Sequence, residues 1–111
     1  MKKIPNPYGK LGSPKHRVKV EEVETSIRNR GLIAIKEYLL NLFGKKRRYI
    51  DVVAMGNQDE PIEYHQVGKV GKKGLPVKRE RVVLQEIYEK TGIEPKFHAY
   101  NLHKEEIKDE K

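Results

Sequence analysis

The sequence predicts a small α/β (α+β) domain, a mixed central sheet with flanking helices, its elements in the order α, β, β, β, α, β. Three observations predict it. Residues 13–31 and 78–92 each combine an end signal with apolar residues at helical spacing. Between them lie three runs rich in Val, Ile and Leu, separated by turns that contain Gly. A fourth short run follows the second helix. At 111 residues the chain fits one domain. We divide it into a basic N-terminal arm at 1–12, the domain at 13–101 and a mixed-charge tail at 102–111.

The arm holds Pro5, Pro7, Gly9 and Gly12, and residues 1–20 carry six Lys or Arg and no acid. An extended basic arm suits phosphate contact. Ser13-Pro14 reads as an N-cap followed by proline in the first turn, and Gly31 as the closing left-handed residue. The apolar stripe of this helix is Val20, Val23 and Ile27. His16 and Glu24 fall on the same stripe, whereas Glu21 and Glu22 do not. Residues 32–43 fit either period. We read a strand, because Gly44-Lys45-Lys46 then turns into a second strand at 47–54. Residues 55–60 form a polar turn, Pro61 opens the third strand and Gly68 ends it. Residues 69–76, KVGKKGLP, read as a mobile basic loop; they lack the GK[ST] ending of a phosphate-binding loop. The second helix runs from Lys78 to Thr91 and is closed by Gly92, with Val83, Leu84, Ile87 and Tyr88 on its apolar face. A last strand covers 96–101.

Apolar and charged residues each make up 36% of the chain, so the core is small and much of the chain is surface. The absence of cysteine excludes disulfides and thiolate zinc sites. No apolar run is long enough to span a membrane, and the N-terminus has no signal-peptide core. A formal charge of +8 favours a polyanionic partner, most simply nucleic acid.

The chemistry concentrates in residues 47–69. The second strand carries Asp51 inside Tyr49-Ile50-Asp51-Val52-Val53. The third carries Glu63 and His65, two apart and therefore on one face, with Tyr64 and Gln66 opposite. A carboxylate within a β-branched run is costly to bury unpaired. Asp51 and Glu63 on adjacent strands therefore hold a hard divalent cation, pair with nearby Lys or Arg, or sit on a solvated face.

This arrangement resembles the restriction-endonuclease-like PD-(D/E)xK nuclease superfamily. Within it, the stretches NPYGKLGSPKH (6–16), RYIDVVA (48–54) and EYHQVGK (63–69) look similar to the nuclease modules of bacterial polymorphic toxins. The resemblance implies Mg²⁺- or Mn²⁺-dependent hydrolysis of phosphodiester bonds, in DNA ahead of RNA. It implies Asp51 and Glu63 as metal ligands, and Glu24 as a helper through water. Where the superfamily has a third-strand lysine this chain has His65, which would serve as the base, with Gln66 or Lys69 as alternatives. Arg48, Lys69, Lys78 and Arg81 would bind backbone phosphates. A cognate acidic inhibitor protein, a homodimer, action in the cytoplasm and delivery within a larger secreted effector are further implications. Two other classes compete. A non-catalytic basic nucleic-acid-binding domain would explain the charge but not the acids among apolar strand residues, and a protein-interaction module assembling with an acidic partner would show no salt-dependent affinity for nucleic acid.

Overall fold

The computed structural model describes residues 13–101, so the predicted arm and tail lie outside the described residues. The elements are α1 (Pro14–Asn29), β1 (Ile33–Asn41), β2 (Arg47–Met55), β3 (Pro61–Gly68), α2 (Lys78–Thr91) and β4 (Lys96–Ala99). The order is the predicted one, and the fold is a small α+β domain. The ambiguous segment at 32–43 forms a strand, and the last strand stops two residues earlier than expected.

The helix ends follow from their residues. The Ser13 side chain accepts a hydrogen bond from the His16 backbone N–H at 3.3 Å, and Pro14 opens the helix. Gly31 (φ 82°) and Gly92 (φ 75°) take the left-handed conformation that ends each helix.

The sheet order is β1-β2-β3-β4. The first three strands are antiparallel neighbours, and β4 runs parallel to β3 after the α2 crossover. One face packs Val52, Ala54 and Val67 against Val23 and Ile27 of α1. The other packs Ile50, Val53 and Tyr64 against Val83 and Ile87 of α2. Ile27, Ile50 and Ile87 are fully buried, and truncating any of them to Ala should cost about 2–5 kcal/mol.

Ile50 and Val52 are two apart yet lie on opposite faces, so the pleat fails between them, at Asp51. The β1–β2 register is constant on both sides, Lys36↔Val52 and Tyr38↔Ile50, and skips only Glu37 and Asp51. Glu37 has a φ of 54°, a left-handed conformation costly for a side chain with a Cβ. The β2–β3 ladder also gives way there. Beyond Val52↔His65, side chains replace it: the Asp51 N–H donates to Gln66 Oε1 at 2.7 Å, and the Val67 N–H donates to Asp51 Oδ2 at 2.8 Å.

The loop after β3 is held, where the sequence reads as mobile. Val70 bridges to Pro76, and the Asn101 amide exchanges two 3.0 Å hydrogen bonds with the Val70 backbone. Among the described residues, no helix is long and apolar enough to cross a membrane.

Candidate functional site

Asp51 lines a pocket of about 220 Å³ together with His16, Arg17, Val20, Lys36 and Glu37. The first turn of α1 brings His16 over the strand break, with its Nε2 3.5 Å from Asp51 Oδ2. The His16 ring meets Tyr100 edge-on, centroids 5.7 Å apart. From the other side comes Glu80, in the first turn of α2. Its carboxyl lies against Gly68, where an added Cβ would stand 2.6 Å from Glu80 Cδ. Glycine at 68 is what lets this acid approach the backbone beside Val67, the residue whose N–H already binds Asp51.

Burial raises the Glu80 pKa, and the charge of Asp51 raises it further. No described group forms a hydrogen bond or salt bridge with the Glu80 carboxylate. Gln66 is 7% exposed, and its oxygen is used by Asp51. No fully buried side-chain N or O lacks a partner, so its amide nitrogen, which donates to no described group, opens to solvent beside Asp51. Asp51 thus has an imidazole beside it in the pocket, a Gln66 amide on its backbone and the Glu80 carboxylate close enough to feel its charge.

The other end of the same two strands is closed. Glu63 faces Ala54 rather than Asp51, three residues along β2, or roughly 10 Å. Arg30, capping α1, grips Glu63 with both terminal nitrogens at 3.0 and 2.6 Å. That bidentate pair holds the Glu63 pKa down to about 2, with a smaller contribution from His65. An ionised Glu63 can only accept, so His65 Nε2–H donates to it at 2.9 Å. With both rings neutral, His65 Nδ1 then accepts from His98 Nε2–H, also at 2.9 Å. Burial lowers the pKa of both histidines; that of His98 falls to about 4, with His65 as the second cause. His65 is 4% exposed.

The predicted site therefore divides. Glu63 and His65 do share a face, but they are locked to Arg30 and His98 and do not join Asp51. The expected Asp51–Glu63 metal pair is not assembled, and His65 is too enclosed to reach a substrate. Gln66 does meet Asp51. Glu24 turns inward as its stripe position predicts, and is 8% exposed. Its carboxylate is engaged by Arg28 at 2.6 Å and Lys36 at 3.8 Å rather than by the site. Of the expected phosphate contacts, Arg48 is tied to Glu86 at 2.8 Å and Arg81 to the Pro76 carbonyl at 2.7 Å, while Lys69 and Lys78 stand exposed. Sequence reasoning missed Glu80, an acid in a run of cations at a helix start, and undervalued His16, which the helical wheel had already put on the inner stripe.

Among the described residues, no three His, Asp or Glu side chains stand close enough to chelate one ion. A hard cation held through one or two carboxylates, with water and substrate phosphate completing its shell, needs no third. Asp51 and Glu80 fit that requirement, since among the described residues neither carboxylate forms a salt bridge with Lys or Arg, whereas Glu63 is gripped by Arg30. Compared with protein-family models, curated proteins and solved structures, the chain matches none.

Proposed function

We propose that the domain is a metal-dependent nuclease of restriction-endonuclease-like architecture that hydrolyses phosphodiester bonds, with its chemistry centred on Asp51. One observation carries the reading: two carboxylates that form no salt bridge with a described Lys or Arg, Asp51 and Glu80, feel each other's charge where a left-handed Glu37 breaks the sheet. Opposed carboxylates and backbone strain both cost stability, and such costs persist at sites that bind or react. Asp51 and Glu80 would hold Mg²⁺ or Mn²⁺. Bound there, the ion supplies Lewis-acid polarisation of the phosphate and a water of lowered pKa. Gln66 fixes the Asp51 backbone through its oxygen and offers its amide hydrogens to a phosphate oxygen. His16 orients the Asp51 carboxylate and narrows the opening. Arg17, Lys36, Lys69 and Lys78 attract the backbone without reading sequence. Glu63 and His65 hold the scaffold.

The test is cleavage of plasmid DNA, single-stranded DNA and bulk tRNA in Mg²⁺, Mn²⁺ or EDTA, with calorimetric Mn²⁺ binding in the absence of nucleic acid. Cutting that needs metal, is lost in Asp51→Asn, and is accompanied by Mn²⁺ binding that Glu80→Gln weakens, is expected. No cutting in any metal, with salt-sensitive binding retained, would replace the nuclease by the non-catalytic nucleic-acid-binding domain.

A further inference from the structure

α1 has a second open flank, on the side of the helix away from Asp51. Lys15, Val18, Lys19 and Glu22 fall on one helical face. With Ala99 and Tyr100 they line a groove of about 420 Å³ between α1 and the end of β4. His16, Arg17 and Val20, which line the Asp51 pocket, fall on the opposite face. Tyr100 joins the two openings: it lines the groove, and its ring meets that of His16, beside Asp51. Along β4 the groove wall continues through His98 to Lys96. Both share the α1 side of the sheet with their register partners Val67 and His65. Lys19 and Lys96 both act on the His98 ring: burial first, then His65, then these two cations hold its pKa down to about 4. Glu22 is taken up by Lys19 at 3.1 Å. Lys15 and Lys96 are exposed, and neither forms a salt bridge with a described Asp or Glu.

We propose that this groove carries the nucleic-acid backbone onward from the cut, with Lys15 on one wall and Lys96 on the other each holding a phosphate. The substrate is then a strand long enough to pass the first turn of α1, not a short oligonucleotide confined to the Asp51 pocket. This rests on the nuclease reading above. Charge and continuity select the occupant. Lys15, Lys19 and Lys96 outweigh Glu22 along the groove, and the whole chain carries +8, so a polyanion fits where an apolar protein surface does not. An acidic polypeptide would match the sign but not the continuity, because the groove adjoins the pocket proposed to hold a phosphodiester. Lysines meet phosphates as point charges, so the track grips a backbone without reading its sequence.

The experiment uses the full chain carrying Asp51→Asn, so that nothing is cut. Anisotropy gives Kd for labelled DNA and RNA strands of about 20 nucleotides, and for the DNA duplex, across a salt series. The pair Lys15→Gln with Lys96→Gln should weaken the tightest of these by roughly tenfold near physiological salt. It should also flatten the slope of log Kd against log salt by about 1.4–1.8, the share of two phosphate contacts. Lys15→Arg with Lys96→Arg should keep affinity and slope, since the charges remain. Lys45→Gln with Lys90→Gln removes the same charge at the opposite edge of the sheet, where Lys90 lies over Phe43, and should change the slope by less than about half as much. Equal changes in the two Gln pairs, or an unchanged slope in the groove pair, would overturn the track. So would polyglutamate bound as tightly as the strand and weakened equally by the groove pair, which would make the occupant an acidic polypeptide. Cleavage separates the two readings. With Asp51 intact, the groove pair should hydrolyse bis(p-nitrophenyl) phosphate at the wild-type rate and long strands with a raised KM. No hydrolysis by the wild type would end the nuclease reading and leave the binding result to decide the groove.

Discussion

Strands β2 and β3 carry two polar clusters, one at each end, and they differ in what they leave unsatisfied. At the Glu63 end every charge is answered: Arg30 neutralises Glu63, Glu63 orients His65, and His65 accepts from His98. At the Asp51 end two carboxylates feel each other's charge, an amide nitrogen is unused and the sheet is broken to accommodate them. A closed polar chain fastens α1, β3 and β4 together. An open one is stable only at a cost, and it is the better place to look for chemistry. Sequence-level attention to acids on strands cannot tell the two apart, since both consist of carboxylates in β-branched runs.

The largest expected effect is on activity. Asp51→Asn should lower metal-dependent cleavage by more than about 100-fold, beyond the loss typical of a residue that only supports a ligand. Its melting temperature should change little. Glu63→Gln should do the reverse. Replacing the shared carboxylate by a neutral amide, which keeps one acceptor oxygen of the two that Arg30 and His65 use, should cost about 1–3 kcal/mol, roughly 4–8 °C in melting temperature per kcal/mol for a domain of this size. Activity measured well below the transition should survive. If Glu63→Gln abolished cutting at unchanged stability, the two ends would have to exchange roles.

The closed cluster also predicts an acid limb. His98 has a folded pKa near 4, below its ordinary 6.5, so the folded state binds fewer protons than the unfolded one between those values. Stability should therefore fall as pH drops from about 6.5 towards 4, with His65 adding in the same direction. Glu63, held near 2, contributes stability above its ordinary 4.5 that is lost as pH falls from there towards 2. Thermal melts from pH 7 to 3 should show a shallower slope above pH 4 in His98→Gln than in the wild type. The smallest effect is a gain: in EDTA, Glu80→Gln should raise stability by about 0.5 kcal/mol, because it removes a half-buried carboxylate that the charge of Asp51 opposes. The same variant should lose the stabilisation that Mg²⁺ gives the wild type. A Glu80→Gln protein that melts lower in EDTA would mean that Glu80 is a structural acid.

Much of the fold was legible because its signals are local. Ser13-Pro14, Gly31 and Gly92 mark helix ends through backbone chemistry that needs no tertiary context, and both helices end where those residues place them. Residues 32–43 suited either period, and the hairpin turn at Gly44 decided for a strand. Alternation correctly placed Glu63 with His65, but it gives the face of a residue and not its level. The level is set by the turn at 56–60 and the register shift at Ala54/Met55, which put Glu63 beside Ala54. The failure of the pleat at Asp51 has no sequence signal, since Glu is an ordinary strand-edge residue until its φ is seen. Glu80 was hidden for a similar reason: it reaches the site only because Gly68 leaves room for it.

The left-handed Glu37 has a consequence away from the site. Among the described residues β1 has no neighbour on its outer side, and it displays Ile33 and Ile35 at 59% and 37% exposure. A straight nine-residue edge with an apolar end is a template on which a second molecule can add strands and begin to aggregate. The kink at Glu37 divides that edge into two four-residue pieces that no longer share one pleat, so an incoming strand cannot hydrogen-bond along its full length. The distortion at the pocket thus also works against edge-to-edge strand addition.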